Sequence, residues 1–440
     1  MGIEYLRTLR RLGRDVRLFL LTAALVGFTL FGGISSVLQN LFLLRLGYGP
    51  EFIGVFISSG MFALAVACLP AGALGARWGS RRAMMVGLTV AAAGSGMVAL
   101  AEMLPQGARA AWLVTSNIVA YSGLALYTVN TSPFLMARVG EGERAHAFSA
   151  QGALWPLAAF AGSLAGGVLP QLLAGPLGAG LDQPAPYRAT LLISAALLLS
   201  GVLALAAIPE APQAVRGDEP LDAEPGPAPL RAIVLVSLVA LLQVSGEGVA
   251  RNFVNVYLDT RLGVPTAQIG TLLAVAQLAA APLALATPLL VARWGHRRTY
   301  ALTALAMGLS MLPLALVPHW GAAGLGFVGV MALASISRPA ITVFQMELVE
   351  PRWRPTMAAS TTMAVGLSWA GLALGAGFII TALGFTALFL IGAGLTLAGV
   401  ALFWACFRHP RPAPKPMPAL AVPASDRIAG LSPLIDTNYE

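Results

Sequence analysis

The sequence predicts an all-α integral membrane protein of twelve transmembrane helices, arranged as two parallel six-helix repeats. Three observations predict it. The 440 residues are 57% hydrophobic and only 10% charged, with a mean hydropathy of +0.78, which is more apolar surface than a water-soluble globule can hide. Apolar runs of about 20 residues recur along nearly the whole chain, and that is the length needed to cross a hydrocarbon core roughly 30 Å thick. The stretch ARWGSRR at residues 76–82 returns as ARWGHRR at 292–298, so the pattern is duplicated.

Taken in order, the runs and their interruptions place helices at roughly 18–45, 52–76, 83–104, 110–137, 147–174 and 188–208. A second set follows at roughly 231–258, 267–292, 299–318, 321–347, 356–382 and 385–407. RLGYGPEFIG (45–54) separates the first pair, and the short basic stretch ARWGSRR separates the second helix from the third. The apolar stretch from Met357 to Phe407 is too long for one crossing, so it is divided at TALGFT, where Gly384 can take the turn. Barrel strands would alternate with period two, and these runs do not. The domain plan is a basic N-terminus (1–17), a six-helix bundle (18–208), a linker (209–230), a second bundle (231–407) and a tail (408–440). The linker carries PEAPQAVRGDEPLDAEPGPAP, rich in proline and acid and without an apolar face, which reads as a solvated segment. The tail begins HPRPAPKPMP and reads as disordered.

The net charge of +8 and pI near 10.1 could suggest nucleic acid, but the placement of the charges points to membrane topology instead. With the first helix running from inside to outside, the outer segments hold only Arg45, Arg109, Arg188 and Arg261, and Arg251 and Arg338 fall within helices; the other 21 of the 27 basic residues lie inside. That bias orients a chain during insertion, so both termini are expected in the cytoplasm and the protein in the cell (inner) membrane. The first apolar run is too long for a cleavable signal and lacks a small-residue cleavage site. Cys68 and Cys406 lie in separate apolar runs and imply neither a disulfide nor a metal site, and the four histidines have no ligand spacing.

One ungapped offset, the same that relates the two arginine-rich stretches, carries RLGYGPEFIG onto RLGVPTAQIG (261–270) and Gly32 onto Gly248. A six-helix unit duplicated in one orientation is the parallel-repeat plan found among transporters. With its basic stretch after the second helix and a copy after the eighth, the chain resembles the major facilitator superfamily over residues 18–407, and NLFLLRLGYGPEFIG, PAGALGARWGSRR and GERAHAFSAQGALWPLAAFAGSLAGG are similar to bacterial drug or sugar exporters. The resemblance implies that superfamily's fold. It also maps a cytoplasmic gate signature onto Gly72, Arg77, Gly79, Arg81 and Arg82, and its copy onto Arg293, Gly295, Arg297 and Arg298. The superfamily's acid before the first arginine is absent, with Ala76 and Ala292 in its place. The arginines remain able to bind helix C-terminal carbonyls or lipid phosphate, and insertion bias alone would also account for them.

Polar groups are costly in lipid, so those within helices are candidates for function. The seventh helix carries Gln243, Glu247, Arg251, Asn255 and Asp259 at every fourth position, one slightly winding polar row. The tenth carries Ser335, Arg338, Thr342 and Gln345 on one face. The fourth offers Asn117, Tyr121, Tyr127, Thr128, Asn130, Thr131 and Ser132, and the first Ser35, Ser36, Gln39 and Asn40. The resemblance implies that helices one, four, seven and ten line a central cavity. Glu247 with Arg251 is the expected proton-coupling pair; the same two residues also form the ordinary intrahelical pair that neutralises buried charge. Arg338 is expected either to bind an anionic group or to make a helix–helix hydrogen bond beside Pro339. Phe31, Tyr121, Tyr127, Trp155 and Trp369 could stack on a ligand or simply pack. The small residues of GSLAGG (162–167) and GLALGAG (371–377) allow close helix approach.

These features predict a secondary active transporter working by alternating access, with export of small, largely apolar organic compounds against protons as the first reading. Uptake or facilitated transport of a sugar or organic anion is the second, and a membrane sensor that keeps the fold without transporting is the third. The expected partners are a small-molecule substrate, a proton and the lipid bilayer, in a monomer without nucleic acid, cofactor or metal. No nucleophile–base pair, metal cluster or phosphate loop suggests an enzyme.

Overall fold

The computed structural model describes residues 13–30, 32–139, 144–209, 229–350 and 353–407. The helices are α1 (Arg14–Thr29), α2 (Ile34–Arg45), α3 (Pro50–Trp78), α4 (Ser80–Ala99), α5 (Gln106–Arg138), α6 (Arg144–Ala174), α7 (Ala185–Ala206), α8 (Leu230–Thr260), α9 (Thr266–Leu316), α10 (Trp320–Glu347) and α11 (Arg354–Phe407), with a 3-10 turn at Leu100–Met103. α9 is non-helical only at Gly295 and α11 only at Gly384, so each makes two crossings. The first crossing is α1 and α2 together, so the described helices make twelve crossings, as the apolar runs predicted. The 209–230 linker and the tail fall almost wholly outside the described residues, as does most of the basic N-terminus; Arg14 and Arg17 already belong to α1.

Two expectations are corrected by local backbone geometry. The basic stretches 77–82 and 293–298 are not loops: helix continues up to and beyond a single glycine in each. Gly79 (φ 85°, ψ 142°) and Gly295 (φ 75°, ψ 161°) adopt the same reversal, in a region of positive φ that a side chain resists. The first crossing is also not continuous. It breaks after Thr29 and resumes at Ile34, with Gly32 at φ 83° in the gap; Phe31 lies outside the described residues. The freed backbone groups find side-chain partners: the Gly32 N–H donates to Ser36 Oγ at 2.7 Å, Ser36 Oγ donates to the Leu30 carbonyl at 3.1 Å, and Ser163 Oγ donates to the Gly32 carbonyl. The repeat copy Gly248 is followed by Val249 where Gly33 follows Gly32, and α8 passes through it unbroken. A lone glycine is tolerated in a helix; a pair permits a break.

Within the first half, α4 lies on α5 at near-backbone distance: a Cβ on Gly123 would stand 2.4 Å from the Ala91 nitrogen, and one on Gly94 2.4 Å from that of Ala120. The two halves meet through α3 against α11 and α6 against α9. A Cβ on Gly54 would be 2.4 Å from the Ala373 carbonyl, one on Gly377 2.4 Å from that of Pro50, and one on Gly270 2.5 Å from the Gly167 Cα. Of the two small-residue stretches, Gly167 and Gly377 therefore serve the contact between halves. Gly162 and Gly166 instead pack on Phe28, Gly33 and Ile34 of their own half, and Gly371 and Gly375 have open space. Gly54→Ala is expected to cost about 1–3 kcal/mol by forcing α3 off α11, measured as a lowered Tm in one detergent; an unchanged Tm would mean the seam yields at no cost.

Candidate functional site

Between the halves lies a cavity of about 480 Å³. α2 supplies Ser35, Ser36, Gln39 and Asn40; α5 supplies Ala120, Tyr121 and Leu124; α8 supplies Glu247, Arg251 and Asn252; and α10 supplies Met331, Ala334, Ser335 and Arg338. The remaining wall comes from α3 (Ile57, Met61), α6 (Trp155, Pro156), α9 (Gln277, Ala280) and Trp369 of α11, with Leu30 and Ser95.

The charged centre is built by α8 and α10. Glu247 is only 1% exposed and accepts from both arginines. Arg251, one turn along the same helix, donates from Nη2 to Oε1 at 3.3 Å; Arg338 reaches across from α10, donating from Nε to Oε2 at 3.3 Å and more closely from Nη2 to Oε1. The bare i,i+4 pair is thus a three-member cluster with a direct interhelical bond. Arg338 keeps 49% of its side chain exposed, and its guanidinium carbon lies 5.5 Å from the Trp369 ring centroid. Trp369 fits there because Gly248 has no side chain: a Cβ would stand 2.8 Å from Trp369 Cδ1. Two buried donors of cavity-lining residues, Arg251 Nε and Trp369 Nε1, have no hydrogen-bond partner among the described residues.

One end of the cavity is sealed by bonds between the halves. Asn40 Nδ2 donates to the Asn252 carbonyl at 2.7 Å and to Asn255 Oδ1 at 3.2 Å, while Asn255 Nδ2 donates to the carbonyls of Ser36 (3.1 Å) and Val37 (3.3 Å). Beyond them Arg45 grips Asp259 with two bonds of 2.7 and 2.8 Å and donates from Nε to the Leu181 carbonyl at 3.0 Å. The same guanidinium lies 5.4 Å from the Tyr187 ring, whose hydroxyl is 3.0 Å from Thr266 Oγ1. At the opposite end, Arg81 caps the carbonyls of Leu205 (3.0 Å) and Ala206 (2.8 Å), and Arg297 caps that of Phe407 (2.8 Å). These equivalent arginines each close the last helix of their own half, where the helix dipole favours a cation. Arg77, Arg82, Arg293 and Arg298 are exposed at this end. Gly72 has only Val129 nearby, at 3.8 Å, whereas a Cβ on Gly75 would overlap Asn130.

The structure therefore divides the residues that the polar faces grouped together. Ser35, Gln39, Asn40, Tyr121, Glu247, Arg251, Arg338 and Trp369 share the cavity. Others lie outside its lining. Tyr127 is fully buried in the core of the first half, and Asn130 bonds the carbonyls of Ala71 and Leu126 between α3 and α5. Gln243 faces Ser337 Oγ (3.4 Å) inside the second half, Asn255 belongs to the seam, Thr342 is exposed and bonds the Arg338 carbonyl of its own helix, and Gln345 is buried nearer the arginine-hinge end. Two cavity amides escaped the sequence reading. Asn252 sits beside Arg251 but off the fourfold row, and Gln277 lies on a helix outside the four expected to line the site. Its signal was present, since Gln277 is the only amide between Leu272 and Val291.

The family model of the Major Facilitator Superfamily matches residues 19–370 and 236–434. Among solved structures the chain is similar to a variant of nucleoside transporter NupG, with a TM-score of 0.70 and 15% identity over 89% of this chain and 100% of that one. It is also similar to the xylose transporter XylE from E. coli in an inward-open conformation (TM-score 0.69, 13% identity, 88% and 95% covered). FucP, a transporter in the outward conformation, gives a TM-score of 0.58 at 17% identity, with 90% and 99% covered. No curated protein matches the chain in sequence.

Proposed function

The chain belongs to the Major Facilitator Superfamily, and from that membership we propose a proton-coupled carrier of small organic compounds in which Glu247 holds the transported proton. As a member it is a multi-pass membrane protein and a secondary transporter of small molecules, not an enzyme. The single observation that carries the proposal is the position of Glu247: nearly unexposed, on the cavity wall, and bonded by arginines of two different helices. A carboxylate in that setting gains or loses a proton according to which side of the membrane the cavity faces and whether its arginine partners stay in place.

The arginine-hinge end is assigned to the cytoplasm by the excess of basic residues, with both termini on that side of the cell membrane. On that assignment the bonds around Arg45 and Asn40 seal the outer end, and the cavity faces inward. Alternating access then requires the Arg45–Asp259 seam to part as the cytoplasmic ends of the two halves close, with the exposed arginines of the two hinges at the closing face. The apolar and aromatic wall supports a substrate with a largely apolar body. The second reading, uptake of an organic anion, is favoured by the presence of two arginines against one glutamate.

The test is flux in proteoliposomes. A pH gradient is expected to accelerate movement of a transported compound in the wild type. Glu247→Gln is expected to abolish the acceleration while leaving substrate exchange. Gradient-driven flux that survives in Glu247→Gln would remove Glu247 as the proton site.

A further inference from the structure

Among the described residues lining the cavity, the charged groups are Glu247, Arg251 and Arg338, and Tyr121 is the remaining titratable one. α2, α3, α6, α9 and α11 contribute no acid to the wall. The next carboxylate along α8, Asp259, is held by both terminal nitrogens of Arg45. The site therefore carries one positive charge in excess, and a surplus cation in a low-dielectric setting is stabilised by an arriving anion.

The hydrogen-bond inventory points the same way. A guanidinium has five N–H donors and no acceptor, and an indole has one donor. Among the described residues, the buried Arg251 Nε and Trp369 Nε1 have no partner, and Arg338 presents half of its side chain to the cavity after bonding Glu247. The wall is thus over-supplied with donors. A carboxylate or sulfonate brings acceptors without donors and matches the planar guanidinium fork. Behind the charged centre, Ile57, Met61, Leu124, Trp155 and Met331 form an apolar wall suited to a hydrocarbon or aromatic body.

We propose that the cavity selects a small organic anion with an apolar or aromatic body, and that one anion and one proton cross together in the same direction. The inference rests on the reading of Glu247 as the proton site and deepens it. The sign follows from charge. With Glu247 ionised the cluster is +1; protonated, it is +2 and attracts an anion more strongly. Linkage is reciprocal, so a bound anion draws a proton onto Glu247 by the same factor. Two ligands that favour one another load together and leave together. A proton moving with a monoanion transfers no net charge, so a pH gradient drives the carrier and a membrane potential does not. A cationic substrate would reverse the sign and give exchange for protons instead.

The test uses the purified full chain in lipid nanodiscs and three probes of one shape: 2-naphthoate, 2-naphthamide and 2-naphthylmethylammonium. Titration calorimetry in two buffers of different ionisation heat reads both affinity and protons taken up. The acid is expected to bind roughly tenfold or more tightly than the amide, as for a charge-assisted against a neutral hydrogen bond, and the ammonium least. Binding of the acid is expected to take up as much as about one proton. Glu247→Gln should abolish the uptake and keep the preference for the acid; Arg338→Ala should erase the preference, with partial return in Arg338→Lys. Failure of the acid to bind, equal affinity for acid and amide, or preference for the ammonium overturns the anion assignment, and proton-driven flux of a neutral compound would then leave the coupling role of Glu247 standing. Preference for the acid without proton uptake overturns the shared movement, and the coupling role of Glu247 then stands or falls on gradient-driven flux in Glu247→Gln.

Discussion

Glu247→Ala is expected to destabilise the protein by about 3 kcal/mol and to stop ion-coupled transport. Removing one member of a buried ion pair costs about 3–5 kcal/mol because the partner is left uncompensated. Here two guanidinium groups lose the carboxylate they share. The low end of the range applies because Arg338 keeps half of its side chain in the cavity, where water screens it. Arg338→Ala alone should cost less, since Arg251 still neutralises Glu247. The triple substitution Glu247→Leu, Arg251→Met and Arg338→Met should recover most of the stability and none of the transport, because well-packed apolar groups replace buried ion pairs at little cost. Thermal unfolding in one detergent measures the wild type and these three variants. A Glu247→Ala variant as stable as the wild type would show that the cluster is solvated and not buried.

Arg45→Ala is expected to part the sealed end of the cavity. The Arg45–Asp259 pair is bidentate and mostly shielded, with 20% and 11% of the two side chains exposed, and Arg45 also ties the seam to Leu181 and Tyr187. Its loss should shift the equilibrium toward the state open at that end by about 1–3 kcal/mol, a roughly 5- to 150-fold change in the ratio of states. Spin labels at Gln171 of α6 and Thr271 of α9, both exposed and on opposite sides of the seam, should report a longer-distance population that the wild type lacks. Exchanging the charges, Arg45→Asp with Asp259→Arg, should restore the short distance only in part, because the contacts with Leu181 and Tyr187 belong to the arginine on α2. An unaltered distance distribution in Arg45→Ala would mean that the seam is held by the glycine contacts of α3 with α11 and α6 with α9 alone.

The residues of α8 show how far sequence reasoning reaches. The fourfold spacing from Gln243 to Asp259 correctly identifies one face of one helix. In the structure that face has three fates: Gln243 turns into its own half, Glu247 and Arg251 reach the cavity, and Asn255 and Asp259 lock onto α2. The glycines tell a similar story. Gly384 was legible as a turn because an apolar run of that length must fold back, and Gly79 and Gly295 were legible through their repetition. The gate signature named Gly72, which has only Val129 nearby, and passed over Gly75, whose missing side chain makes room for Asn130.

What the amino-acid order determined by itself was the number of crossings, the duplication and the helix faces that carry polar groups. Each of these follows from hydropathy, helical periodicity or the backbone freedom of glycine, which are properties of a residue and its near neighbours in the chain. Only the tertiary structure decided which turn of a face meets water, which meets the other half and which meets its own bundle. Helices that touch at one end and diverge at the other give the same residue type a different surrounding on each turn, and that divergence is set by packing between segments some 200 residues apart, as Asn40 and Asn255 are.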